Sequence, residues 1–130
     1  MTKILLDTNA SSRLLQGDRD IKDTVERSSA VYISTIVIGE LLAAFKGGSR
    51  EGRNKTILNK FLEQPTVSLA KVDLDTAEYY AQIFDNLKEK GKPIPMNDVW
   101  IAASALEMGA VLVTQDRHFT NISGLRTLES

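Results

Sequence analysis

Two stretches decide how the chain is read: Lys3-Ile4-Leu5-Leu6-Asp7-Thr8-Asn9 and, near the other end, Val111-Leu112-Val113-Thr114-Gln115-Asp116. Each is a short, unbroken apolar run that gives way to polar residues and an acid. Such runs suit strands covered on both faces, as in a parallel sheet. Ala110–Val113 then forms the later strand, Ala30–Ile33 and Val67–Val72 two more, and Leu125–Leu128 a short fifth. Helices are expected between them, over Asn9–Leu15, Arg19–Arg27, Thr35–Lys46 and Arg50–Glu63. Ser34 or Thr35 caps the third, and Gly47-Gly48 ends it. Asp75-Thr76-Ala77-Glu78 resembles a capping box. Ala77, Tyr80, Ala81, Phe84 and Leu87 follow it at helical spacing, up to Gly91 and Pro93. Asn97 is expected to cap a final helix over Asp98–Met108. Strands alternating with helices predict an α/β fold: a three-layer α/β/α sandwich around a central, mostly parallel sheet of four to five strands. One domain spanning residues 1–130 is the expectation.

The composition removes whole classes of chemistry. There is no cysteine, which excludes a disulfide scaffold, a cysteine nucleophile and Cys-based metal sites. The single histidine, His118, argues against any mechanism that needs a histidine pair. No stretch approaches the roughly 20 apolar residues of a membrane span, and the first residues lack a signal-peptide core, so a cytoplasmic protein is expected. The chain carries 16 basic and 17 acidic residues, a net charge of −1, where a nucleic-acid-binding domain is more often basic.

Ligands of open parallel sheets bind beyond the carboxyl ends of the strands, and acids sit there. Asp7 follows the first strand, Glu40 lies on the helix after the second, Asp98 opens the helix before the fourth, and Asp116 follows the fourth. Four anions in one pocket repel unless a cation neutralises them. A hard divalent ion with oxygen ligands, Mg²⁺ or Mn²⁺, is the natural partner. Such an ion suits phosphoryl chemistry by activating water and stabilising charge on phosphate oxygens. Other acids read as controls. Asp73-Leu74-Asp75 resembles a D-x-D pair, but helix capping accounts for it better.

Four segments carry a resemblance. Leu5-Leu6-Asp7-Thr8-Asn9, Ser34-Thr35-Ile36-Val37-Ile38-Gly39-Glu40-Leu41, Gly91–Ala103 with its Asn97-Asp98 pair, and Leu112-Val113-Thr114-Gln115-Asp116-Arg117-His118-Phe119 resemble the four motifs of the PIN-domain nucleases. The likeness is greatest to the VapC-type toxins of type II toxin–antitoxin pairs and runs from about Lys3 to Leu125. It implies a Mg²⁺- or Mn²⁺-dependent endoribonuclease, usually a homodimer, neutralised by a cognate antitoxin and leaving 5′-phosphate and 3′-hydroxyl ends. Carried over by position, Asp7, Glu40, Asp98 and Asp116 are the acidic metal site. Thr8 and Asn9 support the first acid, one by hydrogen bonding near the metal and the other by capping or contacting substrate. Thr114 orients Asp116 or a metal-bound water. Pro95 departs from the family, which often has Gly there.

Lys46, Arg50, Arg53, Lys55 and Lys60 cluster in one segment. Contact with the RNA backbone, contact with an acidic partner and an ordinary solvated face are all open for them. Arg117 reads either as a phosphate contact or as a turn residue, and His118 as a surface residue near the pocket. Trp100, Tyr79, Tyr80 and Phe84 read as packing within the fold or across a dimer.

The function expected is metal-dependent hydrolysis of RNA phosphodiester bonds by activated water, in the toxin of a toxin–antitoxin pair. The alternative is a catalytically idle module of the same fold that binds RNA or protein. A phosphatase is a weaker reading, because the first strand is not followed by a D-x-D nucleophile.

Overall fold

A computed structural model describes residues 2–130. The apolar runs form five strands: β1 (Lys3–Leu6), β2 (Ala30–Ser34), β3 (Val67–Ala70), β4 (Val111–Val113) and β5 (Thr127–Leu128). They join in one sheet of order β3-β2-β1-β4-β5, with every neighbouring pair parallel. Six helices connect them: α1 (Thr8–Leu15), α2 (Arg19–Arg27), α3 (Thr35–Lys46), α4 (Glu51–Leu62), α5 (Leu74–Glu89) and α6 (Met96–Met108). The sheet between its two helical layers is the expected three-layer α/β/α arrangement. Ile4, Leu5, Leu6, Val31, Ile33, Leu112 and Val113 are all buried, so the central strands are apolar on both faces.

The strand order positions the site. From β1 the chain steps outward through β2 to β3, then returns across the sheet to place β4 on the other side of β1. Right-handed crossovers put the helices of the outward path on one face and those of the return on the other. Connections therefore leave the carboxyl ends of β1 and β4 in opposite directions. The crevice between them is the topological switch point where α/β sheets bind ligands.

Several local expectations are corrected. Helix α1 begins at Thr8 because the Asp7 side chain accepts the Ala10 amide. Of the two residues expected to cap α3, Ser34 does so, accepting the Val37 amide. The capping box of α5 is Asp73 with Thr76, two residues before the expected Asp75–Glu78 pair. The buried face of α5 is Thr76, Ile83 and Leu87. Phe84 is 48% exposed, and Tyr80 turns to stack on Trp100 with ring centroids 4.2 Å apart. Helix α6 starts at Met96, with Pro95 at its cap position, and ends where Gly109 adopts φ 64°. Asn97 thus lies inside the first turn and does not cap it. A 3-10 turn over Arg117–Asn121 follows β4 and was not anticipated. Its Phe119 is buried and anchors the turn to the core.

Candidate active site

Asp7 ends β1, where the strand's apolar run meets the carboxyl edge. It is only 6% exposed. One carboxylate oxygen caps α1 by accepting from the Ala10 N–H at 2.8 Å. The other accepts from the Thr114 hydroxyl at 2.5 Å. Thr114 Oγ1 in turn accepts the Asp116 N–H at 2.9 Å. One hydroxyl after β4 therefore orients the acids of two strands. Burial raises the Asp7 pKa, and the two hydrogen bonds work against that rise.

Glu40 comes from the second turn of α3 and is gripped from two sides. Thr8 Oγ1 donates to its Oε1 at 2.5 Å, and Asn97 Nδ2 donates to its Oε2 at 2.6 Å. Thr8 thus supports Glu40, not Asp7 as the resemblance implied. Asp98, next to Asn97 in the first turn of α6, is pushed up to about 6. Burial is the main cause, followed by the charges of Asp116, Glu40 and Asp7; His118 partly offsets them. Asp116 accepts the His118 N–H at 2.9 Å, and the His118 ring nitrogen Nδ1 lies 3.2 Å from the same oxygen.

A cavity of about 440 Å³ collects these groups. Asp7, Thr8, Asn9, Glu40, Asn97, Asp98, Gln115, Asp116 and Phe119 line it. All four acids singled out in the sequence face one pocket, at the switch point between β1 and β4, with Thr114 beneath. Asn97 and Gln115 were not anticipated there. The Asn97-Asp98 pairing was visible in the sequence, but a helix cap is the commoner use of such an asparagine. Only the approach of α3 to α6 reveals its bond to Glu40.

The donor set fits a divalent cation. It is all oxygen and strongly anionic, and it contains a carboxyl whose charge is disfavoured by its like neighbours. Among the described residues, no three pocket carboxylates bring oxygens within 4.8 Å of one another. Asp73, Asp75 and Glu107 do approach that closely. Asp73 caps the start of α5, and Glu107 accepts from the Thr76 hydroxyl there at 2.5 Å. That cluster holds the helix together and lies outside the pocket.

None of the basic residues lines the pocket. Lys46 and Lys55 both pair with Glu51, at 3.2 and 3.4 Å. Among the described residues Arg50, Arg53 and Arg117 have no ion-pair partner. A second cavity, of about 360 Å³, lies between α1, α2 and α4 and is lined mainly by apolar side chains such as Leu14, Val25 and Phe61. It offers no cluster of acids.

Comparison with known proteins agrees with this geometry. The family model of the PIN domain matches residues 4–125. The chain belongs to the PIN-domain family. This PIN domain is 31% identical over 134 residues to the VapC ribonuclease Y4jK of Sinorhizobium fredii, covering 94% of this chain and 93% of that protein. It is 29% identical to the ribonuclease VapC2 of Haemophilus influenzae, covering 98% and 97%. Among solved structures, it superposes on a chain of DNA-bound VapBC from Salmonella typhimurium with a TM-score of 0.86 at 27% identity, covering 98% of both chains. Among the described residues, no helix of this PIN domain is long and apolar enough to cross a membrane.

Proposed function

We propose that this protein is an endoribonuclease, the toxin of a toxin–antitoxin pair, and that it uses Mg²⁺ or Mn²⁺. The observation that carries the reading is the convergence of Asp7, Glu40, Asp98 and Asp116 on one pocket at the switch point of a PIN-domain sheet. These four acids would hold the cation. When bound, it supplies charge neutralisation for the phosphate and a more acidic water. The chain's own residues set the frame. Thr114 fixes Asp7 and the Asp116 backbone relative to each other. Thr8 and Asn97 hold Glu40. Asn9 and Gln115 stand at the exposed rim, where a strand of RNA enters. Arg50, Arg53 and Arg117, with Lys46 and Lys55, are proposed to hold its phosphates by charge.

The ribonuclease names of the VapC relatives support an RNA substrate. The complexed VapBC neighbour supports a protein antitoxin as partner. A single-domain homodimer in the cytoplasm completes the reading. Replacement of an acid tests it. Purified Asp7→Asn and Asp98→Asn, checked for native circular dichroism, are expected to lose RNA cleavage in Mg²⁺ by at least about 100-fold. Cleavage by either folded variant at the wild-type rate overturns the mechanism.

A further inference from the structure

We propose that Asn97 is a positioning residue, which holds the Glu40 carboxylate against the other three acids so that the set stays together for a cation. The inference rests on the metal-site reading above. Three observations carry it. First, Asn97 does not serve its own helix: α6 has Pro95 at its cap position and no side-chain cap at all. The Asn97 side-chain Nδ2 instead donates to a residue 57 positions away, to Glu40 Oε2 at 2.6 Å. Second, among the described residues this is the side-chain hydrogen bond that joins α3 to α6. The Thr8 hydroxyl ties the other oxygen to α1. The carboxylate is therefore oriented from both sides. Third, both donors are neutral. A lysine or arginine in place of Asn97 would neutralise Glu40, whereas an amide orients it and leaves its full charge and a second lone pair on each oxygen.

The need for such a grip follows from electrostatics. Glu40 is half-buried on a side chain with three rotatable bonds, and it faces Asp98, Asp116 and Asp7. Like charges drive it outward to solvent. Asn97 opposes that motion. Because it shares the first turn of α6 with Asp98, the same turn that supplies one acid also retains another.

The test compares wild type, Asn97→Ala, Glu40→Gln and the double variant, by calorimetric Mn²⁺ binding and by RNA cleavage in Mg²⁺. Loss of a group that orients a ligand of this kind costs about 10–100-fold in metal affinity or activity. Asn97→Ala should show that loss in Mn²⁺ affinity and in kcat, with KM for RNA and the metal-free melting temperature unchanged. In the Glu40→Gln background the same change should have no further effect. Asn97→Ser serves if the alanine variant misfolds. Wild-type Mn²⁺ affinity in Asn97→Ala, or a loss that multiplies with that of Glu40→Gln, overturns the role. Wild-type protein that binds Mn²⁺ but leaves RNA intact overturns the nuclease reading alone, and the affinities still decide on Asn97. Wild-type protein that binds no Mn²⁺ overturns both.

Discussion

Asp98 carries a charge that its surroundings disfavour, and this makes it a measurable reporter of the site. Its folded-state pKa of about 6 lies above the usual 3.8. A raised value means that the fold prefers the protonated acid. The stability that comes from the neutral form is therefore complete below about pH 4 and is lost as pH rises through about 6. Asp98→Asn should equal wild type in metal-free stability near pH 4 and exceed it at pH 7.5. The full shift corresponds to about 3 kcal/mol, and partial exposure to solvent reduces this to about 1–2 kcal/mol. Thermal melts across that range check it, and a variant less stable than wild type at pH 7.5 contradicts it. The same residue should make cation binding pH-dependent: Mn²⁺ affinity is expected to fall below about pH 6 as the proton competes. A gain of stability that accompanies a loss of function is the pattern expected where a fold retains a strained charge for its chemistry.

At the level of elements, helix ends do most of the placing. Asp7 caps α1, Asp98 sits in the first turn of α6 and Asp116 caps the 3-10 turn after β4. Asp7 and Asp116 each accept a backbone N–H there, whereas burial and like charges oppose the charge of Asp98. Strand β5 completes the arrangement at the edge. The Leu128 carbonyl accepts the Thr114 N–H at 3.0 Å, and the Ser130 carbonyl accepts from Gln115 Nε2 at 3.1 Å. Both ties hold the segment that carries Asp116. The start of α5 shows the contrasting case, in which acids converge without a pocket. Asp73→Ala removes the α5 cap and should cost about 1 kcal/mol. Its Mn²⁺ isotherm and RNA cleavage should match wild type. Loss of metal binding in this variant would show that the Asp73, Asp75 and Glu107 cluster takes part in the chemistry after all.

For the whole molecule, the net charge of −1 ceases to be an objection to RNA. If the four pocket acids hold a cation, as proposed, the rest of the chain carries +3. RNA binding should accordingly be weak in EDTA, strengthen with Mg²⁺ and weaken as salt rises. Fluorescence anisotropy with a single-stranded RNA checks this, and tight binding in EDTA would contradict it. Much of the molecule was legible in the sequence because its signals are local. Apolar runs at Lys3–Leu6 and Val111–Val113 mark strands buried on both faces, the spacing of Arg19–Arg27 and Thr35–Lys46 sets two helices, and acids at strand ends mark where a parallel sheet binds ligands. What remained hidden depends on which distant groups meet. Thr8 reaches Glu40 across 32 residues and Asn97 reaches it across 57; Thr114 bonds Asp7 across 107. Phe84 has the spacing of a core residue yet is half exposed, because the buried face of α5 is that of Thr76, Ile83 and Leu87. The sequence by itself determined the α/β fold and the four acids, since periodicity and strand-end chemistry are properties of neighbours along the chain. Only the tertiary structure decided which hydroxyl and which amide hold which acid, since those bonds exist only once the strand order brings α1, α3, α6 and the carboxyl ends of β1 and β4 to one crevice.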